Sequence, residues 1–222
     1  MAHVHLPDGA FSIKWIIIWW TIAIIIIGFC LYWLKNVKKI DNKKITMAAM
    51  LTAASFAIFQ ISIPLFGGVH MNLTPLIGIL TGPAIGSIIV FIVNILTAAT
   101  GHGGWSIIGA NLLINMTEVT VAYIIYKALG KINLDTFSKA GIGTIIGLLF
   151  GNIVMILIIL ISGIQGVNQD VKTTLYGISL IAAVNMGVAI IESLITGYVV
   201  SYIQRVRPDM LAEVNHNAAR AK

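Results

Sequence analysis

The amino-terminal tail carries the residues with the clearest capacity for metal chemistry. Met1-Ala2-His3-Val4-His5 places two of the chain's five histidines beside a free α-amine, just ahead of a hydrophobic span. Imidazole, amine and backbone amide are nitrogen ligands for Ni(II), Cu(II) and Co(II), and four nitrogens in a plane suit Ni(II) or Cu(II). With Met1 retained, the tail supplies an amine, two amides and the His3 imidazole. With Met1 removed, Ala2-His3 supplies three nitrogens and leaves one position for a distant imidazole; a merely solvated tail is the alternative.

Two further histidines lie in uncharged, glycine-rich loops. His70 follows a pair of glycines, which let a backbone turn sharply or approach a ligand closely. We expect Thr74 to cap a short helix with Pro75 at its first position, which places His70 just before that helix. His102, within Gly101–Gly104, also precedes a helix. The alternative for both is a histidine that hydrogen-bonds to backbone; His102 could also orient another ligand.

The composition is that of a membrane protein. Of 222 residues, 58% are hydrophobic and 10% are charged, and the mean hydropathy is +0.96. Apolar runs of about 20 residues predict an all-α integral membrane protein with no room for a separate soluble domain. The net charge of +6 does not indicate nucleic-acid binding. Most basic residues flank the ends of spans, where they set orientation and meet anionic lipid.

The apolar runs predict long spans at about 13–34, 45–63, 107–129, 140–162 and 177–203. The segment from Lys35 to Lys44 contains five lysines against one aspartate, so the positive-inside rule places it in the cytoplasm and the N terminus outside. We expect one transmembrane domain over 1–222. It comprises an extracytoplasmic metal-binding tail (1–12), a helical bundle (13–203) and a cytoplasmic tail (204–222).

The stretch 74–99 is either one span of about 26 residues or two helices broken at Gly82-Pro83, because proline ends or kinks a helix. The basic residues near 127–139 and at the C terminus should both be cytoplasmic, which requires that this stretch crosses twice. We therefore predict a short helix to about residue 81 and another over about 84–98. This gives about seven helices, with the C terminus cytoplasmic and the short helix buried in protein.

Polar side chains within the spans should face the bundle interior. Asn111, Asn115 and Glu118 share one helix face, and Asn185 and Glu192 lie two turns apart on the last span. Amide and carboxyl groups are costly in hydrocarbon, so we expect them to point inward. They either hydrogen-bond between helices or support the histidine site.

The second span carries a row of small residues, Ala49, Ala53 and Ala57. Small residues at every fourth position let another helix approach closely. The row either packs within the chain or docks a partner membrane protein. The chain has no Gly-x-x-x-x-Gly-Lys-Ser/Thr loop and no His-Glu-x-x-His motif, so it does not bind ATP by the first device.

Three segments, in order, resemble the signatures of a known family. HLPDG (5–9) is similar to the N-terminal His-x-Pro-Asp-Gly segment of the metal-capturing membrane subunit of cobalt and nickel energy-coupling-factor transporters. GGVHMNLT (67–74) resembles the second signature of that family, and GHGG (101–104) followed by GAN (109–111) resembles the third. Order and spacing match to about residue 120, and the alanine-rich second span also fits.

The resemblance implies a seven-helix substrate-binding component with a square-planar site, made by the N-terminal amine, an amide, the first histidine and a loop histidine. The loop ligand corresponds to His70 and the motif histidine to His5. In the family that histidine is usually second in the mature chain, whereas Met1–Val4 is extra here. If Met1 is removed, His3 becomes second, Ala2 gives the amine, and His5 is an additional ligand or an orienting group. Candidates for orienting the ligands are His102, Asn111 and Asn72.

From the resemblance we expect the substrate-capture component of an ATP-driven importer in the cell membrane, with Ni(II) or Co(II) as its transported substrate. Expected partners are a transmembrane coupling subunit, cytoplasmic ATPase subunits and, as a further candidate, a small accessory membrane subunit. Capture should weaken at acidic pH because ligand nitrogens must be deprotonated. The alternatives are a membrane-embedded metal-dependent enzyme with Glu118 as general base, and a non-metal assembly subunit.

Overall fold

A computed structural model describes residues 8–37, 42–63, 69–71, 73–166 and 170–211. The helices in these ranges are α1 (Ile13–Asn36), α2 (Asn42–Phe59), α3 (Thr74–Thr81), α4 (Pro83–Ala99), α5 (Ile108–Leu129), α6 (Thr136–Ser162) and α7 (Val171–Val206). Two strands of two residues each, β1 (Ser62–Ile63) and β2 (Val69–His70), pair between α2 and α3. Single 3-10 turns, Trp105–Ile107 and Pro208–Met210, precede α5 and follow α7.

Four helices, α1, α5, α6 and α7, are long and apolar enough to cross a membrane. Helix α4 is a shorter apolar helix of 17 residues. These helices leave many large apolar side chains exposed, as expected for a surface in contact with lipid tails. The described residues form seven α-helices, which confirms the predicted all-α membrane protein.

Helix α5 lies at the centre of the bundle and packs against α1, α3, α4 and α6. Glycines allow two of these approaches. On α6, a Cβ at Gly143 would lie 3.1 Å from the Ala122 carbonyl oxygen, and on α5 a Cβ at Gly109 would lie 2.6 Å from the Trp20 backbone nitrogen. A side chain at Gly109 has no space, and one at Gly143 would make an unusually tight contact. Small residues therefore set the interhelical spacing here as they do in other membrane bundles.

Helix α3 is short and buried along all eight of its residues. The chain breaks at Gly82, whose φ of 77° favours glycine, and α4 begins at Pro83. The prediction of two helices separated at this point is confirmed. The burial of α3 also agrees with the expectation, since a broken helix at membrane depth must be covered by protein.

Several helix ends differ from the sequence-based expectation. Helix α2 ends at Phe59 rather than near residue 63, because residues 62–63 form the β1 strand instead. Helix α6 begins at Thr136 rather than near 140, because the Asp135 carboxylate accepts from the Ser138 amide at 3.0 Å and caps the helix. Helix α7 extends beyond its apolar window at both ends.

The bundle has two chemically different ends. One end, which we call the histidine end, carries the loops that contain His70 and His102 and the start of α1. The other, the basic end, carries the C terminus of α1, the N terminus of α2 and the C terminus of α7. Lys43 and Asp209 form an exposed ion pair at 3.7 Å there. Residues 1–7 and 212–222, which include parts of both predicted tails, lie outside the described residues.

Candidate metal centre

His70 is positioned by the short antiparallel ladder that follows α2. Ser62 on β1 lies opposite His70 on β2. The ladder folds the chain back towards the end of α2, so the His70 ring stacks on the Phe59 ring with centroids 5.2 Å apart. His70 is only 7% exposed. The loop therefore presents an imidazole from a shielded position.

His102 reaches the same place from the loop between α4 and α5. Positive φ angles at Gly101 (82°) and Gly103 (92°) form a tight turn on either side of it, which glycine adopts without strain. The His102 amide donates to the Thr97 carbonyl at 2.9 Å and ties this turn to the end of α4. The His102 ring meets the His70 ring edge to face, with centroids 5.4 Å apart and planes at 88°.

The surroundings of His70 favour its neutral form. Burial is the largest cause that lowers the pKa of His70, and nearby His102 lowers it further; hydrogen bonds with the backbone of Phe59 and Ile61 act in the opposite direction. The neutral imidazole is the form that binds a metal ion. Nδ1 of His102 is buried and has no hydrogen-bond partner among the described residues.

The described ranges bring these two imidazoles together without a third ligand of the usual types. Within those ranges, no group of three or more His, Cys, Asp or Glu side chains could hold a metal ion. The predicted ligands Ala2, His3 and His5 lie outside the described residues, as does Asn72. A complete four-nitrogen site would draw its remaining donors from beyond these ranges.

The start of the described chain is fixed beside the His102 loop. Oδ1 of Asp8 accepts from the Ser106 amide at 2.8 Å, and this hydrogen bond is the main cause that lowers the pKa of Asp8. The Asp8 carboxylate occupies the space over Gly104, where an added Cβ would lie 2.5 Å from Oδ1. The residues that follow the tail are therefore held next to the loop that carries His102.

A second contact fixes the same segment from the other side. The Ala10 carbonyl accepts from the Gln165 amide at 2.8 Å, just beyond the end of α6. Phe11 is 1% exposed and packs with Ile107 of the 3-10 turn and Met155 of α6. The chain thus enters α1 from a defined place between the loop that precedes α5 and the loop that follows α6.

The N terminus of α3, directly after the His70 loop, differs from the prediction. Thr74 is the first helical residue rather than the cap; the capping position is Leu73, in the left-handed region with φ 56° and without a side-chain cap. Carboxyl groups from other helices instead hydrogen-bond to the residues at this helix start. The Leu73 amide donates to Oε1 of Glu192 at 2.7 Å, and the Thr74 hydroxyl donates to Oε2 of Glu118. Glu192 and Glu118 are far from this segment in sequence, so the local sequence could not predict these hydrogen bonds.

The polar residues of the spans are buried, as predicted. Asn111, Asn115 and Glu118 line one face of α5 and are at most 6% exposed. On α7, Asn185 donates to the Asn152 side chain of α6 at 3.1 Å. For Asn185 the structure therefore supports interhelical hydrogen bonding. Asn111 lies in the first turn of α5, at the histidine end.

The alanine row lies on an open face of α2. Ala49, Ala53 and Ala57 are exposed in the described part of the chain. Met50 beside them is 67% exposed and Ile45 is 54% exposed. The row therefore does not serve packing among the described helices.

Two features of the site were missed from the sequence. Phe59, whose ring faces both histidines, gave no signal beyond being an apolar residue near a helix end. Gly143, Gly147 and Gly151 form a row on α6 that packs against α5, and a Cβ at Gly151 would collide with the Glu118 carboxyl group. Their spacing of four is a small-residue pattern that could have been found.

Known proteins are similar to this chain in sequence, two of the following three over nearly its whole length. It is 27% identical to a CbiM protein of Methanococcus voltae that is named for cobalt transport, over 96% of each chain. It is 26% identical to a fused nickel transport protein, NikMN, of Archaeoglobus fulgidus, over 95% of this chain and 68% of the relative. Over a shorter stretch of 151 residues it is 34% identical to the cobalt transport protein CbiM of Clostridium cellulovorans, which covers 63% of this chain and 57% of that protein.

Solved structures share the fold. A crystal structure of a transition metal transporter superposes with a TM-score of 0.76, at 21% identity, over 97% of this chain and 99% of that one. A truncated transition metal transporter gives a TM-score of 0.75 at 22% identity, over 91% and 99%. The helical arrangement is therefore that of an experimentally observed membrane fold.

A family model described as the CbiM "Cobalt uptake substrate-specific transmembrane region" matches residues 5–210. This match favours a transport component over both alternatives, the metal-dependent enzyme and the non-metal assembly subunit. The chain is thus a membrane protein, and it belongs to the CbiM family of cobalt uptake substrate-specific transmembrane regions.

Proposed function

We propose that this chain is the substrate-capture component of an ATP-driven importer of Ni(II) or Co(II). The observation that carries the proposal is the placement of His70, a buried imidazole whose pKa is lowered by its surroundings, against His102. The names of the relatives, cobalt for CbiM and nickel for NikMN, support this class of ion. ATP hydrolysis belongs to separate subunits.

The ligands that we assign are the N-terminal amine, a backbone amide, His3 or His5, and His70. The amine belongs to Ala2 if Met1 is removed. All four donors are nitrogen atoms, and a planar set of four suits Ni(II) well, while Co(II) also accepts such donors. The same site can therefore serve either metal.

The position of Asp8 supports this assignment, because the residues before it are long enough to reach the histidine pair. Asp8 contacts the loop at Gly104, and His102 precedes Gly104 by two residues. His5 precedes Asp8 by three residues, and an extended chain covers at most about 3.6 Å per residue, or roughly 11 Å in all. The tail is thus long enough to bring an imidazole and the amine to the His70–His102 pair.

Hydrogen bonds that orient the ligands would come from residues around the pair. Metal-bound imidazoles usually donate their other ring nitrogen to a neighbouring group, which fixes the tautomer. His102 is the best placed, because its ring lies against the His70 ring with centroids 5.4 Å apart. Asn111 and Asn72 remain candidates for the same role.

The orientation we propose places the histidine end outside the cell. Basic residues gather at the other end, at Lys35 in the last turn of α1, Lys43 and Lys44 on α2, and Arg205 on α7. The positive-inside rule assigns such an end to the cytoplasm, where it also meets anionic lipid. The site is then open to ions arriving from outside.

The partner that we assign to the alanine row is the transmembrane coupling subunit. Ala49, Ala53 and Ala57 are exposed and small, which lets a partner helix approach closely. The ATPase subunits would act from the cytoplasmic side through that subunit. A small accessory membrane subunit is a further candidate.

Mass spectrometry of the intact protein tests the ligand assignment directly. The purified chain is measured under native conditions with and without Ni(II) and Co(II), which gives its true N terminus, the bound ion and the stoichiometry. We expect one ion per chain. His70→Ala should abolish binding, and either His3→Ala or His5→Ala should do the same.

The matched control is His216→Ala, which removes a histidine far along the chain from every proposed ligand. It should bind the ion like the wild type. Equal binding by the wild type and His70→Ala would overturn the proposed function. Labelling that places residue 3 and residue 70 on opposite faces of the membrane would do so as well.

A further inference from the structure

Two buried carboxyl groups hold the start of α3, and they come from different helices. Glu192 of α7 accepts from the Leu73 amide at 2.7 Å, and Glu118 of α5 accepts from the Thr74 hydroxyl. Both glutamates are 0% exposed. A carboxyl group is costly inside a membrane protein, and such residues commonly serve a function there. Their convergence on two adjacent residues points to that segment.

The segment they hold continues the strand that carries His70. Leu73 follows His70 by three residues and is the only non-glycine residue with positive φ among the described residues. A leucine adopts this conformation only when its surroundings fix it. The Glu192 bond fixes the Leu73 amide, and the β ladder fixes the chain at His70. The chain is thus fixed at His70 and again at Leu73.

Helix α6 packs directly against the Glu118 side chain. A Cβ at Gly151 would collide with the Glu118 side chain and its carboxyl group. The glycine therefore provides the space in which the carboxyl group extends towards Thr74. Three helices, α5, α6 and α7, thus cooperate in fixing the first turn of α3.

We infer that Glu118 and Glu192 are positioning residues for metal capture. They hold the first turn of α3 so that the His70 imidazole keeps the direction that the ion requires, without touching the ion themselves. This inference rests on the proposed function. Removing a group that hydrogen-bonds a metal ligand directly typically changes affinity by about 10- to 100-fold. Because Glu118 and Glu192 act on His70 through the backbone, we expect a loss near the lower end of that range.

The test compares Ni(II) affinity and folding in the same purified full-length chain. Glu118→Leu and Glu192→Leu remove the accepting oxygens, whereas Glu118→Gln and Glu192→Gln keep one. Affinity is measured by calorimetric titration of monodisperse protein, and the Tm of the metal-free protein reports the fold. We expect the Leu variants to bind about tenfold more weakly or worse, and the Gln variants to recover most of the affinity.

A gentler pair keeps the test decisive if the Leu variants do not fold. Thr74→Val removes only the hydroxyl donor to Glu118. Thr144→Val is the matched control, because Thr144 is equally buried and donates within its own helix to Ala140 at 2.8 Å. Thr74→Val should weaken Ni(II) binding, and Thr144→Val should leave it unchanged.

Hydrogen exchange gives a readout that needs no metal. In the metal-free protein, amides in residues 69–74 should exchange faster in Glu192→Leu than in the wild type, while the middle of α5 stays protected. Gly151→Ala should speed exchange in the same residues, because its Cβ would displace the Glu118 carboxyl group. Gly141→Ala, also on α6, is the control and should not, because an added Cβ there would lie at an ordinary 3.7 Å from the Ser193 carbonyl oxygen.

The outcomes separate the two proposals. Loss of binding in His70→Ala together with wild-type affinity in Thr74→Val and in the folded Leu variants would overturn the positioning role and leave the proposed function intact. A fall in Tm with unchanged affinity would also overturn it. Wild-type affinity in His70→Ala would overturn the proposed function itself.

Discussion

The imidazoles of His70 and His102 meet edge to face, with ring centroids 5.4 Å apart, although they belong to different loops. Phe59 touches both rings, stacked on His70 at 5.2 Å and edge-on to His102 at 6.2 Å. Three separate segments therefore fix the position of His70. Because one of its neighbours is titratable, the electrostatics of the pair can be tested by substitution.

His102→Ala should raise the pKa of His70 in the metal-free protein. His102 lowers that pKa electrostatically, while burial, the larger cause, remains in the variant, so the pKa should rise yet stay below the ordinary value of 6.5. An NMR titration of the histidine ring signals measures it. A lower or unchanged pKa would contradict the account of this pair.

The same shift predicts how stability depends on pH. The pKa of folded His70 lies below its unfolded value, so the unfolded chain binds the proton more readily between the two. Stability should fall as the pH drops below about 6.5 and through the folded pKa, and the loss should be smaller in His70→Gln. Unfolding of metal-free protein in denaturing detergent, compared at several pH values, checks this. A loss of equal size in His70→Gln would assign it to other groups.

Asp8→Ala should weaken Ni(II) affinity by about threefold to tenfold without abolishing binding. Its carboxylate holds the start of the chain on the Ser106 amide, and release of this anchor adds an ordering cost of roughly 0.7–1.4 kcal/mol to capture. Asp135→Ala is the control, since that carboxylate also accepts from a backbone amide but caps α6 at the basic end. Equal effects of the two substitutions on affinity would argue against an anchor.

Gly109→Ala should destabilise the bundle by about 1–3 kcal/mol, the usual cost of overpacking. Its Cβ would lie 2.6 Å from the Trp20 nitrogen, so α1 must move away from α5. Gly177→Ala on α7 is the control, because an added Cβ there meets nothing within 4 Å. The Tm of the metal-free protein should fall for the first variant and hold or rise for the second.

Ala53→Trp should block assembly with the coupling subunit and leave metal binding by the purified chain intact. The alanine row is exposed, so a large side chain there obstructs a partner without disturbing the bundle. Leu157→Trp, at a residue of α6 that is 50% exposed, is the control. Co-purification of the coupling subunit measures the effect; normal recovery with Ala53→Trp would place the contact elsewhere.

The helices were largely predictable because a membrane-spanning helix requires a long run of apolar residues, which is visible in the sequence. Even the break at Gly82-Pro83 followed from residue type and from the requirement that basic segments share one side. Helix ends were less accurate. Hydropathy alone missed Asp135 as the cap of α6, because a helix continues past its apolar window when a side chain satisfies its first amides.

The candidate site was predictable in its histidines and unpredictable in its support. Glycines on both sides of His102 gave a local signal of a shaped loop. The start of α3 gave no such signal. Thr74 looks like a capping residue, but its hydroxyl instead donates a hydrogen bond to Glu118. Contacts between residues so distant in sequence depend on how helices pack, which a single sequence does not encode in any local pattern.

Helix α2 connects the exposed alanine row to the aromatic cover of His70 within one continuous element. Its flank presents Ala53, and its last residue is Phe59, the aromatic cover of His70. Over 18 residues such a helix is a stiff rod of about 27 Å. A tilt imposed along its flank would therefore displace the ring at its tip, and with it the shelter over the imidazole.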